Sequence, residues 1–148
     1  MRPYVTDGQR AEVQEVLSSP YIGQGPRVEE FERIFSEQIV GGRASVAVGS
    51  GTDALHLAYV LAGIGPGDEV IAPLFTCTAT NIPLMYFGAK IRFCDVAPDS
   101  LNMDPDHCRS LLTERTKAIV VVNYGGAPVS ESWLPTMRNL RVALVGLL

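Results

Sequence analysis

The chain has 148 residues, a length that suits one domain with a substantial core. Hydrophobic residues make up 47% and charged residues 19%, which argues for a folded, soluble globule and against disorder. A net charge of −4 gives no electrostatic reason to expect nucleic acid or an anionic membrane as a partner, and no apolar run approaches the roughly 20 residues that cross a bilayer.

The first residues, Met1 to Asp7, lack the apolar core of a signal peptide. Val13, Val16 and Leu17 share one face of a short amphipathic helix expected over Gln9 to Leu17. The glycines and prolines between Ser18 and Pro26 make a loop. Helical periodicity resumes over Arg27 to Val40 through Phe31, Ile34, Phe35 and Ile39, and Gly41-Gly42 ends it. Ser45 to Val48 alternates small and β-branched residues and reads as a short buried strand, central to the sheet. Leu55, Ala58, Tyr59 and Ala62 fall at helical spacing, so a helix is expected to begin near Asp53.

Between that strand and that helix lies Gly49-Ser50-Gly51-Thr52. Glycines let the backbone turn sharply and let a ligand approach closely, and Thr52 and Asp53 are both good N-cap types. A strand, a glycine turn and a helix N-terminus together make an anion cradle, most often for phosphate. An ordinary βα turn capped by Thr52 is the other reading, and the Asp53 carboxylate would compete with a phosphate unless it turns away.

After a turn at Gly63 to Asp68, Glu69 to Ala72 reads as a strand stopped by Pro73. Cys77 to Phe87 reads as a helix in spite of Pro83, closed by Gly88, and Lys90 to Val96 as a strand. Asn102 to Pro105 supplies a cap and a first-turn proline for a helix through Leu112. Lys117 to Asn123 is almost wholly apolar, the mark of a parallel strand covered on both faces. Strands alternating with helices imply βαβ units and a largely parallel open sheet in an α/β fold. Ligands gather at the carboxyl ends of such strands, where Gly49 to Thr52, Pro73 to Cys77 and Asn123 to Gly126 all fall.

Several chemistries drop out. Gly63-x-Gly65-x-Gly67 lacks the dinucleotide-binding spacing and precedes a strand, and there is no P-loop and no Gly-x-Ser-x-Gly elbow. His56 lies inside a helix, packed against its neighbours. Cys77, Cys94 and Cys108 are odd in number and widely spaced, so free thiols in a reducing cytoplasm are expected. His107 beside Cys108 has no second ligand pair at suitable spacing, so no metal is expected.

Ser50-Gly51-Thr52-Asp53-Ala54-Leu55-His56-Leu57-Ala58 resembles a segment of the DegT/DnrJ/StrS sugar aminotransferases, fold type I enzymes that use pyridoxal 5'-phosphate. Gly63 to Ile71, Phe75 to Asn81, Gly88-Ala89-Lys90, Asp95 to Asp99, Asn102 to Pro105 and Thr116 to Ile119 continue the resemblance in order. Gly25 to Glu32 is similar to the family's N-terminal arm. The resemblance implies a three-layer α/β/α, aspartate-aminotransferase-like large domain, incomplete here. It divides the chain into an arm (1–43), an α/β part of the cofactor-binding domain (44–128) and a divergent tail (129–148), with the C-terminal domain absent.

The resemblance also implies that Gly51, Thr52 and Asp53 hold the cofactor phosphate. Cys77 stands where the family usually stacks an aromatic ring on the pyridine; a small packing residue is the other reading. The family needs a lysine for its Schiff base and a carboxylate on the pyridine nitrogen. Only Lys90 and Lys117 are present, both expected at the amino ends of their strands, so no catalytic residue is assigned. Arg141 to Leu148 is a candidate strand with no acidic residue at its end. The expected function is that of the N-terminal part of an enzyme that aminates nucleotide-linked keto sugars from an amino-acid donor. The alternative is a catalytically inactive, truncated homologue or interaction partner of an intact enzyme. A cytoplasmic homo-oligomer is expected, since Phe31, Ile34, Phe35, Tyr86 and the tail from Val142 to Leu148 offer apolar surface.

Overall fold

The computed structural model describes residues 4–129 and the backbone of residues 141–145. The chain divides into two compact units, the first ending at Ala47 and the second beginning at Val48.

The first unit holds two helices. Helix α1, Asp7–Leu17, starts with a reciprocal cap: Thr6 Oγ1 accepts from the Gln9 N–H, and Gln9 Oε1 accepts from the Thr6 N–H. Helix α2, Pro26–Gln38, begins with proline in its first turn, where the missing N–H costs nothing. Gly41 and Gly42 end it at φ 63 and 81, and the Gly42 N–H returns to the Ser36 carbonyl at 2.7 Å.

The strand expected at Ser45 to Val48 does not form. Among the described residues, Ser45 to Val48 pair with no other strand, and Val46 is 71% exposed. The Ala47 N–H donates to the Glu32 carboxylate of α2 at 2.7 Å instead of to a neighbouring strand. An alternating pattern makes a segment fit for a sheet, but a strand exists only where another lies beside it.

Among the described residues the second unit is built on four parallel strands in the order β2-β1-β3-β4. They are β1 (Glu69–Pro73), β2 (Lys90–Cys94), β3 (Thr116–Val122) and β4 (Arg141–Val145). Helices α3 (Gly51–Leu61), α4 (Thr78–Tyr86) and α5 (Pro105–Leu111) connect and cover them. The two-residue period of a strand sends alternate side chains to opposite faces. Val70, Ala72, Ala118 and Val120 pack with Leu55 and Tyr59 of α3 and Leu84 of α4. Ile71, Ile119 and Val121 pack on the other face with Met103 and with Cys108 of α5. The unit is thus a three-layer α/β/α sandwich, and β3 is the doubly covered strand its apolar run calls for.

Two boundary details differ from the pattern expected of the sequence. Strand β2 lies at the edge of the sheet, so it is only partly buried: Phe93 is 46% exposed, while Ile91 on the same face packs against the core. Residues 95 and 96 leave the strand, and Val96 forms a lone antiparallel bridge to Met103. The tail side chains from Val142 to Leu148 lie outside the described residues. Phe31 and Tyr86 are exposed and Ile34 and Phe35 sit at 37%. No helix among the described residues is long and apolar enough to cross a membrane.

Candidate functional site

The orientation of the helices in the second unit follows from their ends. The link from α3 to β1 passes through Pro66, and a Cβ placed on Gly88, just past the end of α4, would sit 3.6 Å from Pro66. The C-termini of α3 and α4 therefore lie together at the amino edge of the sheet, where β1 and β2 start. Their N-terminal turns face the other way, toward the carboxyl edge, from which the loops after β1 and β3 emerge.

The first turn of α3 is capped by Ser50, ahead of the expected start near Asp53. The Ser50 hydroxyl accepts from the Asp53 N–H at 3.1 Å. Neither Thr52 nor Asp53 is the cap. The physical consequence is favourable for an anion: the Gly51 and Thr52 N–H groups and the Thr52 hydroxyl have no hydrogen-bond partner among the described residues and are exposed. The Asp53 carboxylate leans back against Gly49, where a Cβ would meet its Oδ2 at 3.1 Å. Of the three residues singled out, Gly51 and Thr52 carry the free donors, while the Asp53 N–H is already engaged and its carboxylate adds negative charge at the positive end of the helix.

Cys77 is the exposed N-cap of α4 and makes no side-chain cap hydrogen bond. One helical turn further, Asn81 Oδ1 is buried with no partner, and the Asn81 amide reaches the last carbonyl of β1, at Pro73, over 3.5 Å. An unpaired buried acceptor calls for a donor. Thr76 and Thr80 share a hydroxyl–hydroxyl hydrogen bond at 2.9 Å beside it. The carboxyl edge therefore combines free helix N–H donors, a thiol and an unpaired amide oxygen, a donor and acceptor set that fits a phosphorylated heteroaromatic cofactor.

The tertiary structure adds residues that sequence motifs alone do not single out. Phe75, before Cys77, packs on Tyr124 after β3, with ring centroids 4.9 Å apart. Asn102, nearly buried, accepts from the Tyr124 N–H at 3.0 Å and donates to the carbonyls of Ala127 and Pro128. It is a positioning residue for the loop that carries Tyr124. The sequence holds only a partial signal, the Asn102-x-Asp104-Pro105 run, and that points to a helix cap. Asp104 is indeed the cap of α5. His107 Nδ1 accepts from the Asp95 N–H, and His56 packs on the Phe87 ring at 4.8 Å.

The opposite, amino edge carries the lysines. Lys90 Nζ lies 3.3 Å from Glu69 and Lys117 Nζ 2.9 Å from Asp68. Glu69 is buried and also meets Arg92, Arg115 and the Thr113 hydroxyl. The hydrogen bond from Thr113, with the cations beside it, holds its carboxyl down to about 2, from an ordinary 4.5. The Lys117 hydrogen bond likewise lowers Asp68. Because Glu69 binds its proton more weakly folded than unfolded, its contribution to stability is complete above pH 4.5 and drains away as the pH falls toward 2. Glu69→Gln should flatten the acid limb of a stability–pH curve in that window. An unchanged limb would show that Glu69 is not the group being titrated.

Comparison with known proteins places the chain in a family. The model of the DegT/DnrJ/EryC1/StrS aminotransferase family matches residues 3–140. The chain is 41% identical over 124 residues to the spore coat polysaccharide biosynthesis protein SpsC of Bacillus subtilis, covering 84% of this chain and 32% of SpsC. An aminotransferase from Psychrobacter cryohalolentis superposes with a TM-score of 0.87 at 32% identity, covering 96% of this chain and 37% of that one. Spr1654 of Streptococcus pneumoniae, described as a sugar aminotransferase and solved with pyridoxal phosphate (PLP form), superposes at 0.84 with 34% identity, over 90% of this chain and 34% of its own. The neighbours are fold type I aminotransferases, and the chain spans about a third of their length.

Proposed function

Because this chain belongs to the DegT/DnrJ/EryC1/StrS aminotransferase family, we propose that it carries the phosphate-binding part of a pyridoxal-phosphate-dependent aminotransferase. The parent enzyme acts on nucleotide-linked keto sugars with an amino acid as amine donor, in polysaccharide or amino-sugar biosynthesis. In this reading residues 1–43 form an arm, 44–128 the α/β part of the cofactor domain and 129–148 a divergent tail, within a cytoplasmic homo-oligomer.

The observation that carries the reading is the set of unpaired donors on Gly51 and Thr52 at the first turn of α3. When bound, the cofactor supplies an aldehyde and an electron-accepting ring. The Gly51 and Thr52 amides and the Thr52 hydroxyl hold its phosphate, assisted by the helix dipole at about 0.3–1 kcal/mol. The Asp53 carboxylate turns back toward Gly49 and leaves the phosphate to Gly51 and Thr52. Cys77 borders the ring as a compact, polarisable group. The Phe75–Tyr124 ring pair, with Tyr124 held through its N–H by Asn102, borders the same edge.

A second reading is supported by the lysines. Both are engaged with carboxylates at the amino edge, which suits a catalytically inactive homologue that binds phosphate without amino transfer.

The test is titration of the full chain with inorganic phosphate and with pyridoxal phosphate, followed at the backbone amides by NMR. The Gly51 and Thr52 amides should shift, with millimolar-class affinity, on the order of −4 kcal/mol. Thr52→Val should weaken binding about tenfold, since a hydrogen bond to a charged group is lost. Shifts confined to the Lys90 and Arg115 edge, with Gly51 silent, would overturn the assignment.

A further inference from the structure

Cys94 and Cys108 lie fourteen positions apart in sequence (108 minus 94), and the fold buries both in one apolar cluster. Cys94 ends β2, and Cys108 sits in the middle of α5. The two are joined through one atom: the Asp104 carbonyl accepts from the Cys108 N–H at 2.9 Å and from the Cys94 thiol at 3.4 Å. The Cys94 thiol also reaches the Asp95 carbonyl at 3.4 Å. A structural disulfide or metal needs no invoking for such a pair, since both are free thiols and no metal-binding cluster occurs among the described residues.

We propose that Cys94 and Cys108 form an oxidisable dithiol that a peroxide closes to an intrachain disulfide, clasping α5 to the carboxyl end of β2. The Cys108 sulfur, as thiolate, attacks one peroxide oxygen. An S–O bond forms while the O–O bond breaks, and the departing hydroxide takes up the thiol proton as water. The Cys94 sulfur then attacks the Cys108 sulfenic acid. The S–S bond forms, the S–O bond breaks, and hydroxide leaves with the Cys94 proton as a second water. Two thiols are oxidised by two electrons, and one peroxide is reduced to two waters.

The order of attack follows from the surroundings of the two sulfurs. The neighbouring Cys108 and burial push the Cys94 thiol up, while the neighbouring Cys94 and the positive charge of Arg109 hold Cys108 down. Both sulfurs are closed to solvent, so entry of the oxidant requires α5 to open. That helix has seven residues, too few to be stable by itself. The clasp reaches the carboxyl edge in two ways. The Cys94 carbonyl accepts from the Leu74 N–H at 2.9 Å, and Asn102 lies within the segment that the bond closes. Oxidation should therefore stiffen the loops carrying Phe75 and Tyr124.

The full chain is treated with hydrogen peroxide, denatured, alkylated and digested with trypsin. Cleavage after Arg92 and Arg109 releases one peptide, Phe93 to Arg109, that contains both cysteines, while Cys77 falls in another. The expected result is an unalkylated Phe93 to Arg109 peptide lighter by two hydrogens than its reduced form, becoming doubly alkylated after dithiothreitol. The oxidised chain should also melt at a higher temperature than the reduced one, a comparison that needs no variant. Cys108→Ser should abolish the light peptide. Recovery of a doubly alkylated peptide at a peroxide dose that oxidises Cys77, or of sulfinic acid at either position, would overturn the proposal. So would a disulfide that joins Cys94 or Cys108 to Cys77.

Discussion

Mixed with pyridoxal phosphate and an amino donor, the 148-residue chain should transfer no amino group, and borohydride should leave Lys90 and Lys117 unlabelled. These are the lysines of the chain, and each is the first or second residue of its strand. Their ammonium groups sit on Glu69 and Asp68 at the amino edge. Gly51, Thr52 and Cys77 lie toward the other edge. A five-residue strand is about 16 Å long, at roughly 3.3 Å per residue, which exceeds the reach of a lysine side chain. Moving either lysine would also break an ion pair, one of them with a buried carboxylate. Stoichiometric labelling of either lysine, with amino transfer above the background of free cofactor, would show that the edge assignment is wrong.

Tyr59→Ala should cost about 3–5 kcal/mol, a large share of the roughly 5–15 kcal/mol that holds a typical domain together. Tyr59 is fully buried between α3, α4 and the sheet. Its hydroxyl donates to the Thr80 carbonyl at 2.9 Å, which ties the two helices that shape the carboxyl edge. Burial pushes that hydroxyl well above its ordinary range, so it stays a neutral donor at every working pH. Tyr59→Phe keeps the ring and removes the hydrogen bond, and should cost about 0.5–1.5 kcal/mol. Urea denaturation separates the two effects. Equal losses for both variants would place the value of Tyr59 in its hydroxyl and not in the filled volume. A loss below about 1 kcal/mol for Tyr59→Ala would contradict its place in the core.

Much of this protein is legible in its amino-acid sequence, wherever the cause is local. The run at Lys117 to Asn123 forms most of the inner strand β3 because its five consecutive apolar residues, Ala118 to Val122, leave no polar face to expose. Asp104-Pro105 caps α5, and Pro26 opens α2, because these residue types satisfy or lack the N–H groups that a helix start leaves free. The Thr6 and Gln9 capping box is equally local. The glycine turn before α3 and the ordered family segments identify the family, since they depend only on residues adjacent in the chain.

The tertiary structure alone decided what depends on partners distant in sequence. Residues 45–48 have a strand's pattern, yet Ala47 found Glu32 and no neighbouring strand, because a ladder needs a second chain segment. Phe93 is exposed because β2 drew the edge position, which a strand's own composition does not specify. Ser50 rather than Thr52 or Asp53 caps α3, a small shift along the chain that decides which N–H groups stay free. Glu69 reads as an ordinary charged residue at the start of a strand until Arg115, 46 residues away, arrives beside it. The meetings of Phe75 with Tyr124, Asn102 with the loop after β3, and Cys94 with Cys108 arise the same way. Sequence determined which segments could be helix or strand. The packing of a parallel sheet, whose neighbours are joined only through long crossovers, determined which side chains meet.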